Sequence, residues 1–324
     1  MQRFLVLALL SVSAFAAKAK YEYTRIGDAA NATRSTSGGI VLIGGGTDVD
    51  AAFQQLCAWG NNGDILVIRA SGTDAYNPYI AGLCPTASSV ATLVVPSAAG
   101  ANDAAVANII NDAEAIFIAG GDQGVYISQW TGTGLQTALN NARLANKPIG
   151  GTSAGMMVLS EFVYSALLSK GITSSQALAD PYSRYLTIAR DFMEFPLLAG
   201  AISDSHFGAR DRMGRNLAFL CRVYAAGLSN PRSIAIDEAT ALLIDPSGVS
   251  TVVGVGAVYF LRAPVSPGAC AAGVPLTYPD VAVRRVNAGG TFNVGTWIGV
   301  DGVGYSVSAT SGVLSSTQAG GAIY

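Results

Sequence analysis

Three short stretches concentrate the side chains able to do covalent chemistry: "GGTSAG" (150–155), "DSHFGARDRMGR" (204–215) and "IAGGDQ" (118–123). The first places Ser153 inside a Gly-x-Ser-x-Gly pattern. A serine hydroxyl attacks a carbonyl only when a neighbouring base takes its proton. The whole chain holds a single histidine, His206, so if Ser153 is a nucleophile with a histidine base, that base must be His206. The competing reading makes Ser153 a small residue in a tight turn and His206 a structural histidine, since a lone Gly-x-Ser-x-Gly is a weak signal in a chain with 38 glycines.

The surroundings favour chemistry. Ser153 follows the short apolar run "KPIGG" and opens "SAGMMVLSEFVYSALLS", which reads as a helix. A strand–turn–helix sets a serine at the carboxyl end of a strand, where flanking glycines relieve crowding and the hydroxyl projects into a cleft. There the amide of Ala154 and the positive helix end face a developing oxyanion. The glycine turn at 120–121 closes another apolar run; its amides, Gly121 in particular, are candidates for the second oxyanion donor, with Gln123 a substrate contact. His206 also ends an apolar run. Around it lie Asp204, Arg210, Asp211, Arg212 and Arg215, although only 12% of the chain is charged. Asp204 and His206, two apart, share a face if extended, and Arg212 and Arg215, three apart, share a side if helical.

The elements that must position these residues alternate in type. "GIVLIGGG" (39–46), "DILVIRASG" (64–72), "VATLVVPS" (90–97) and "AEAIFIAGG" (113–121) are near-continuous apolar strands, as in a parallel sheet buried on both faces. "DVDAAFQQLCAWG", "NDAAVANIINDA" and "TGLQTALNNARLANKPIG" between them have helical spacing. This βαβα order predicts an α/β fold with a doubly wound, mostly parallel sheet. From about residue 233 the pattern turns to β-hairpins, with "DPSG" as one turn, and 264–324 reads as an antiparallel β-rich extension packed on the main domain.

The N-terminus, "MQRFLVLALLSVSAFAAKA", has one cation before an apolar run and small residues after it, the pattern of a secretory signal peptide over 1–19. The expected domains are therefore the leader, an α/β domain over 20–263 and the extension. Export makes Cys57, Cys84, Cys221 and Cys270 candidates for two disulfides, and proximity in sequence favours Cys57–Cys84 with Cys221–Cys270. A net charge of −2 gives no electrostatic footprint for nucleic acid or an anionic membrane. Neither a cofactor nor a catalytic metal is indicated, because one histidine leaves little for a ligand set.

In this order, "GGDQ", "GGTSAG" and "DSHFGARDRMGR", followed by "AIDEATALL" (235–243), resemble the cyanophycinases, a group of S51 serine peptidases that also includes aspartyl dipeptidase. The resemblance runs from about residue 38 to 263. It implies a sheet like that of class I glutamine amidotransferases, Ser153 as nucleophile and His206 as general base. It also implies a pocket lined by Gln123, Asp204, Ser205, Arg210, Arg212 and Arg215. The implied substrate is cyanophycin, a polyaspartate with arginine on each side-chain carboxyl, released as β-Asp-Arg dipeptides. Guanidinium groups suit aspartate carboxylates.

Two features depart from the family. Ser205 stands where the family has glutamine, which keeps open a dipeptidase or isopeptidase acting on other β-aspartyl or acidic peptides. The segment between Ser153 and His206 is longer than in relatives, so the acid of the triad does not carry over. Asp180, in "QALADPYSRY", is the expectation for it, with Asp191, Glu161 and Glu238 as alternatives. Two further readings compete. An esterase of the α/β-hydrolase fold would put its histidine near the chain's end. An inactive acidic-polymer binder would have a broken nucleophile or base, and both are intact.

Overall fold

The computed structural model describes residues 19–168 and 171–324, so the expected leader lies outside the described residues apart from Ala19. Five apolar segments form a parallel core in the spatial order Ser89–Val94, Asp64–Arg69, Ala115–Ile118, Ile149–Thr152, Ile40–Ile43. Their near-continuous hydrophobicity has a direct cause. Alternate residues point to opposite faces, and both faces are covered. Val41, Ile43, Ile65, Val67, Ala115 and Phe117 pack with Phe53 and Leu56 of the helix Asp50–Trp59 on one face. Ile40, Leu42, Leu66, Ile68, Ile116 and Ile118 pack on the other with the helices Ala104–Asp112 and Gly134–Leu144.

Antiparallel strands complete this nine-stranded sheet. Glu22–Gly27 borders one edge, and Thr240–Ile244, Val249–Gly254 and Thr291–Asn293 continue past Ile40–Ile43. Asp245–Gly248 makes the hairpin turn, with the Asp245 carboxylate accepting from the amides of Ser247 and Val249. A second sheet of eight strands holds Phe162–Tyr164, Ala201–Asp204 and Arg232–Ile236 as its parallel part. Ala257–Arg262, Tyr278–Asn287, Val303–Thr310 and Val313–Ser316 extend it antiparallel. The four described strands after residue 264 thus all continue one or the other sheet of the main fold.

Two local readings change. The apolar stretch after Ser153 is helical only over Ala154–Met157, and Phe162–Tyr164 is a strand. Its aromatic and β-branched residues suit the second sheet, and pairing with Ile188–Arg190 and Ala201–Asp204 overrides the helix-like spacing. The cysteines pair as Cys57–Cys84 and Cys221–Cys270, tying Asp50–Trp59 to the end of Tyr76–Leu83 and Met213–Ala225 to the segment before Tyr278. Closing loops of 27 and 49 residues restricts the unfolded chain by about 3.5 and about 4 kcal/mol in the chain-entropy picture. Among the described residues, no helix is long and apolar enough to cross a membrane.

Candidate active site

Five turns meet where the parallel strands of both sheets end: Gly44–Gly46, Gly120–Gln123, Ser153, and the two turns carrying His206 and Glu238. Clefts at the carboxyl ends of parallel strands are where open α/β sheets bind ligands. Ser153 joins Ile149–Thr152 to the short helix with φ +52° and ψ −116°, a conformation that non-glycine residues rarely adopt. Surrounding structure enforces it. The Ser153 amide donates to Ile43 O at 3.0 Å, and Met157 N donates to Ser153 O at 3.1 Å. Gly155 must be glycine, because a Cβ there would lie 2.0 Å from Ile118 O. Strain held by packing at one half-buried hydroxyl is the signature of a nucleophile elbow.

His206 comes from the second sheet, just past Ala201–Asp204. Its backbone also has positive φ, +47°, and its amide donates to Gly44 O at 2.7 Å. The imidazole Nε2 lies 2.8 Å from Ser153 Oγ, and Nδ1 lies 2.5 Å from Glu238 Oε1. Glu238 follows Arg232–Ile236, and its neighbour Asp237 accepts from Gly208 N at 2.8 Å, joining the acid's turn to the histidine's. The Gly44–Gly46 loop is fastened between them: Gly44 N donates to Thr240 O and Ala239 N to Gly45 O, both at 2.9 Å. Gly45, at φ +90°, leaves no room for a side chain, since a Cβ would sit 2.5 Å from the imidazole. Burial pushes the His206 pKa below its usual value, the bond to Glu238 opposes this, and the charges of Arg210 and Arg212 lower it further. The ring is therefore neutral at pH 7. With Nδ1–H donated to Glu238, Nε2 offers its lone pair to the serine proton.

Asp180, the expected acid, lies elsewhere. It caps the helix Ser174–Ala179, and its carboxylate accepts from Tyr182 N at 2.9 Å and Gly273 N at 3.0 Å. Two of the alternatives are also occupied: Glu161 binds Arg190 and Gly200 N, and exposed Asp191 sits 3.6 Å from Arg190. Glu238 is the carboxylate that reaches the histidine. The signal available in sequence was its place directly after an apolar strand, in "AIDEATALL".

Three of the expected pocket residues are turned inward. Asp204 is fully buried and grips the guanidinium of Arg215 with both carboxylate oxygens, while that guanidinium lies 5.2 and 5.5 Å from the ring centroids of Tyr164 and Phe219, which stack on each other. Ser205 is 1% exposed, with its hydroxyl against Met157 Sδ. None of the three can touch a ligand in this arrangement; a buried charge demands a partner, and Asp204 and Arg215 satisfy one another. Arg212 is intermediate. It donates to Ser205 O at 2.7 Å, lies 3.4 Å from Asp204, and burial brings its pKa down to about 10. Arg210 is the open cation, 53% exposed and 3.7 Å from Glu238. Gln123 begins the helix Gln123–Trp130, half-buried, and no described residue hydrogen-bonds its amide.

For a developing oxyanion the site offers backbone amides. Ala154 opens the helix after Ser153, where first-turn N–H groups lack intrahelical acceptors. Because that helix has four residues, its individual amides matter and a macrodipole does not. Across the cleft Gly120 abuts the nucleophile, its Cβ direction ending 3.5 Å from Ser153 Cβ, and Gly121 follows; Tyr126 pins this turn through its hydroxyl on Ala119 O at 2.9 Å. Among the described residues no group of three His, Cys, Asp or Glu side chains could hold a metal ion.

Residues 40–251 match peptidase family S51. Among solved structures, a peptidase from an acI-B1 actinobacterium superposes with a TM-score of 0.51 at 18% identity, covering 80% of this chain and 98% of its own, a likeness of fold. A protein assigned as peptidase E from Listeria monocytogenes EGD-e gives a TM-score of 0.43 at 13% identity, over 67% of this chain and 98% of its own. No curated protein matches in sequence.

Proposed function

Because this chain belongs to peptidase family S51, we propose that it is a serine peptidase working through Ser153, His206 and Glu238. The observation that carries this reading is the continuous chain of contacts at 2.8 and 2.5 Å from hydroxyl to imidazole to carboxylate. Nε2 of His206 takes the proton as Ser153 Oγ bonds to the scissile carbonyl carbon, and Glu238 stabilises the imidazolium. The carbonyl oxygen gains the negative charge and is held by the amides of Ala154 and the Gly120–Gly121 turn. Collapse of the tetrahedral species breaks the C–N bond, and the leaving amine takes the proton from Nε2. Water then adds to the acyl-enzyme by the same route in reverse, which frees Ser153.

The substrate is an acidic peptide, with cyanophycin and its β-Asp-Arg product as the specific reading. Exposed Arg210, beside Glu238, and partly open Arg212 supply charge for aspartate carboxylates. One observation favours the second reading, other β-aspartyl or acidic peptides: Ser205 is buried and places no amide in the pocket. The protein acts outside the cytoplasm, a reading supported by the leader pattern and two disulfides.

Incubating the protein with insoluble cyanophycin, with Ser153→Ala as control and mass spectrometry as readout, tests the assignment. β-Asp-Arg released by the native protein alone supports it. An untouched polymer alongside cleavage of other β-aspartyl peptides moves the assignment to the second reading, and cleavage of neither class rejects both.

A further inference from the structure

The turn that carries His206 is strained at both ends. His206 and Asp211 have φ of +47° and +46°, in the left-handed region that non-glycine residues seldom adopt. Within the turn, Arg210 N donates to His206 O and Asp211 N to Gly208 O, both at 3.1 Å. The helix Met213–Ala225 follows directly, and its N-cap residue, Arg212, offers no side-chain acceptor to the first amides. Strain of this kind persists only where neighbouring structure holds it, and a helix start needs acceptors from elsewhere.

Both come from residues 318–324, outside the stretch 40–251 that matches family S51. Met213 N donates to Tyr324 Oη at 2.8 Å, which satisfies one of the helix-end donors. The same hydroxyl donates to Asp211 Oδ1 at 2.9 Å, and no other described residue hydrogen-bonds that carboxylate. One oxygen atom thus ties the strained end of the turn to the start of the helix. The Tyr324 ring closes on the other end. It meets Phe207, the buried residue after the histidine, edge-on at 5.6 Å between centroids, and Tyr259 at 6.0 Å. The segment is itself anchored, because Tyr305 Oη donates to Ile323 O at 3.0 Å and Gln318 Nε2 to Ala322 O at 2.9 Å. Tyr305 belongs to Val303–Thr310, one of the antiparallel strands beyond residue 264.

We propose that Tyr324 is a positioning residue for the reaction: its hydroxyl holds the 206–213 turn, and with it the His206 imidazole, within reach of Ser153. It acts through the turn and not on substrate. The proposal rests on the peptidase reading above, and it gives the strands beyond residue 264 a part in that chemistry.

Tyr324→Phe removes the hydroxyl and keeps the ring, and two readouts follow. Fluorophosphonate labelling of Ser153 should slow at least about tenfold, because a small displacement of the base costs rate steeply. His206 is the only histidine in the chain, so its imidazole gives one unambiguous NMR titration. Burial and the charges of Arg210 and Arg212 hold its pKa down against the bond to Glu238, and a loosened turn should let it rise towards about 6.5. A native labelling rate or a native His206 pKa in Tyr324→Phe overturns the proposal whatever the melting temperature, since a residue that only stabilises the fold would move the melting temperature alone. Should Tyr324→Phe fail to fold, Asp211→Asn, which removes the charge that the hydroxyl binds, is read by the same two criteria. If the native protein is not labelled, the peptidase reading fails, and the titration alone decides whether the hydroxyl holds the imidazole: a raised pKa in the variant upholds it and an unmoved one overturns it.

Discussion

Replacing Glu238 probes the least expected member of the site. Two substitutions separate its two tasks, orienting the imidazole and stabilising its cation. At an effective dielectric of about 20, opposite unit charges about 4 Å apart attract by about 4 kcal/mol. Glu238 is 38% exposed, so screening trims the differential stabilisation to about 2–4 kcal/mol, or about 30- to 900-fold in rate. That is the loss expected for Glu238→Ala. Glu238→Gln should do worse despite its closer shape. An amide nitrogen turned towards Nδ1 donates a proton there and forces the imidazole proton onto Nε2, leaving no lone pair for Ser153. The corresponding acid-to-amide change in the serine protease template costs about 10⁴ in kcat. The assay is kcat/KM on a β-aspartyl peptide across pH, with thermal melting to confirm folding. Removing the carboxylate also removes the bond that raises the His206 pKa, so the acid limb should move to lower pH. Glu238→Gln within threefold of native activity, or an acid limb that stays in place, would refute the reasoning. So would an equal loss in Asp180→Ala, which the structure predicts to be near native.

Native activity should fall on acidification with a midpoint below about 6.5, because burial and the two arginines disfavour the imidazolium; a kcat/KM profile centred above that value contradicts the site's electrostatics. Arg215→Met strands the Asp204 carboxylate in the core and should cost about 3–5 kcal/mol in denaturant unfolding, whereas Arg210→Ala should leave stability within about 0.5 kcal/mol and raise KM. Gly45→Ala drives a methyl group into the imidazole and should lower kcat at least about 100-fold in folded protein, as read by steady-state kinetics alongside circular dichroism.

What the sequence made legible follows from local physics. The four apolar runs from Ile40 to Ile118 announced buried parallel strands, because a strand covered on both faces has no polar side. The Gly-x-Ser-x-Gly turn was readable because Gly155 has no alternative against Ile118 O. Glu238 was one of four open choices, since it reaches His206 only when Arg232–Ile236 pairs with Ala201–Asp204, and such pairing is not a local property. The charges around His206 misled in part. Sequence showed a dense group of Asp and Arg, but not that Asp204 and Arg215 satisfy each other inside the core while Arg210 faces out. Phe162–Tyr164 was hidden for a related reason. Three residues carry little periodicity, and the neighbouring strands decide their state.

The most direct test of the central claim is site-mapped labelling with a fluorophosphonate, which bonds to a serine only when that serine is activated. Peptide mapping of the native protein should place the adduct on Ser153, with labelling abolished in Ser153→Ala and slowed at least about 100-fold in His206→Ala. An adduct on another residue, or labelling of Ser153 at an unchanged rate without His206, would contradict the Ser153–His206–Glu238 assignment.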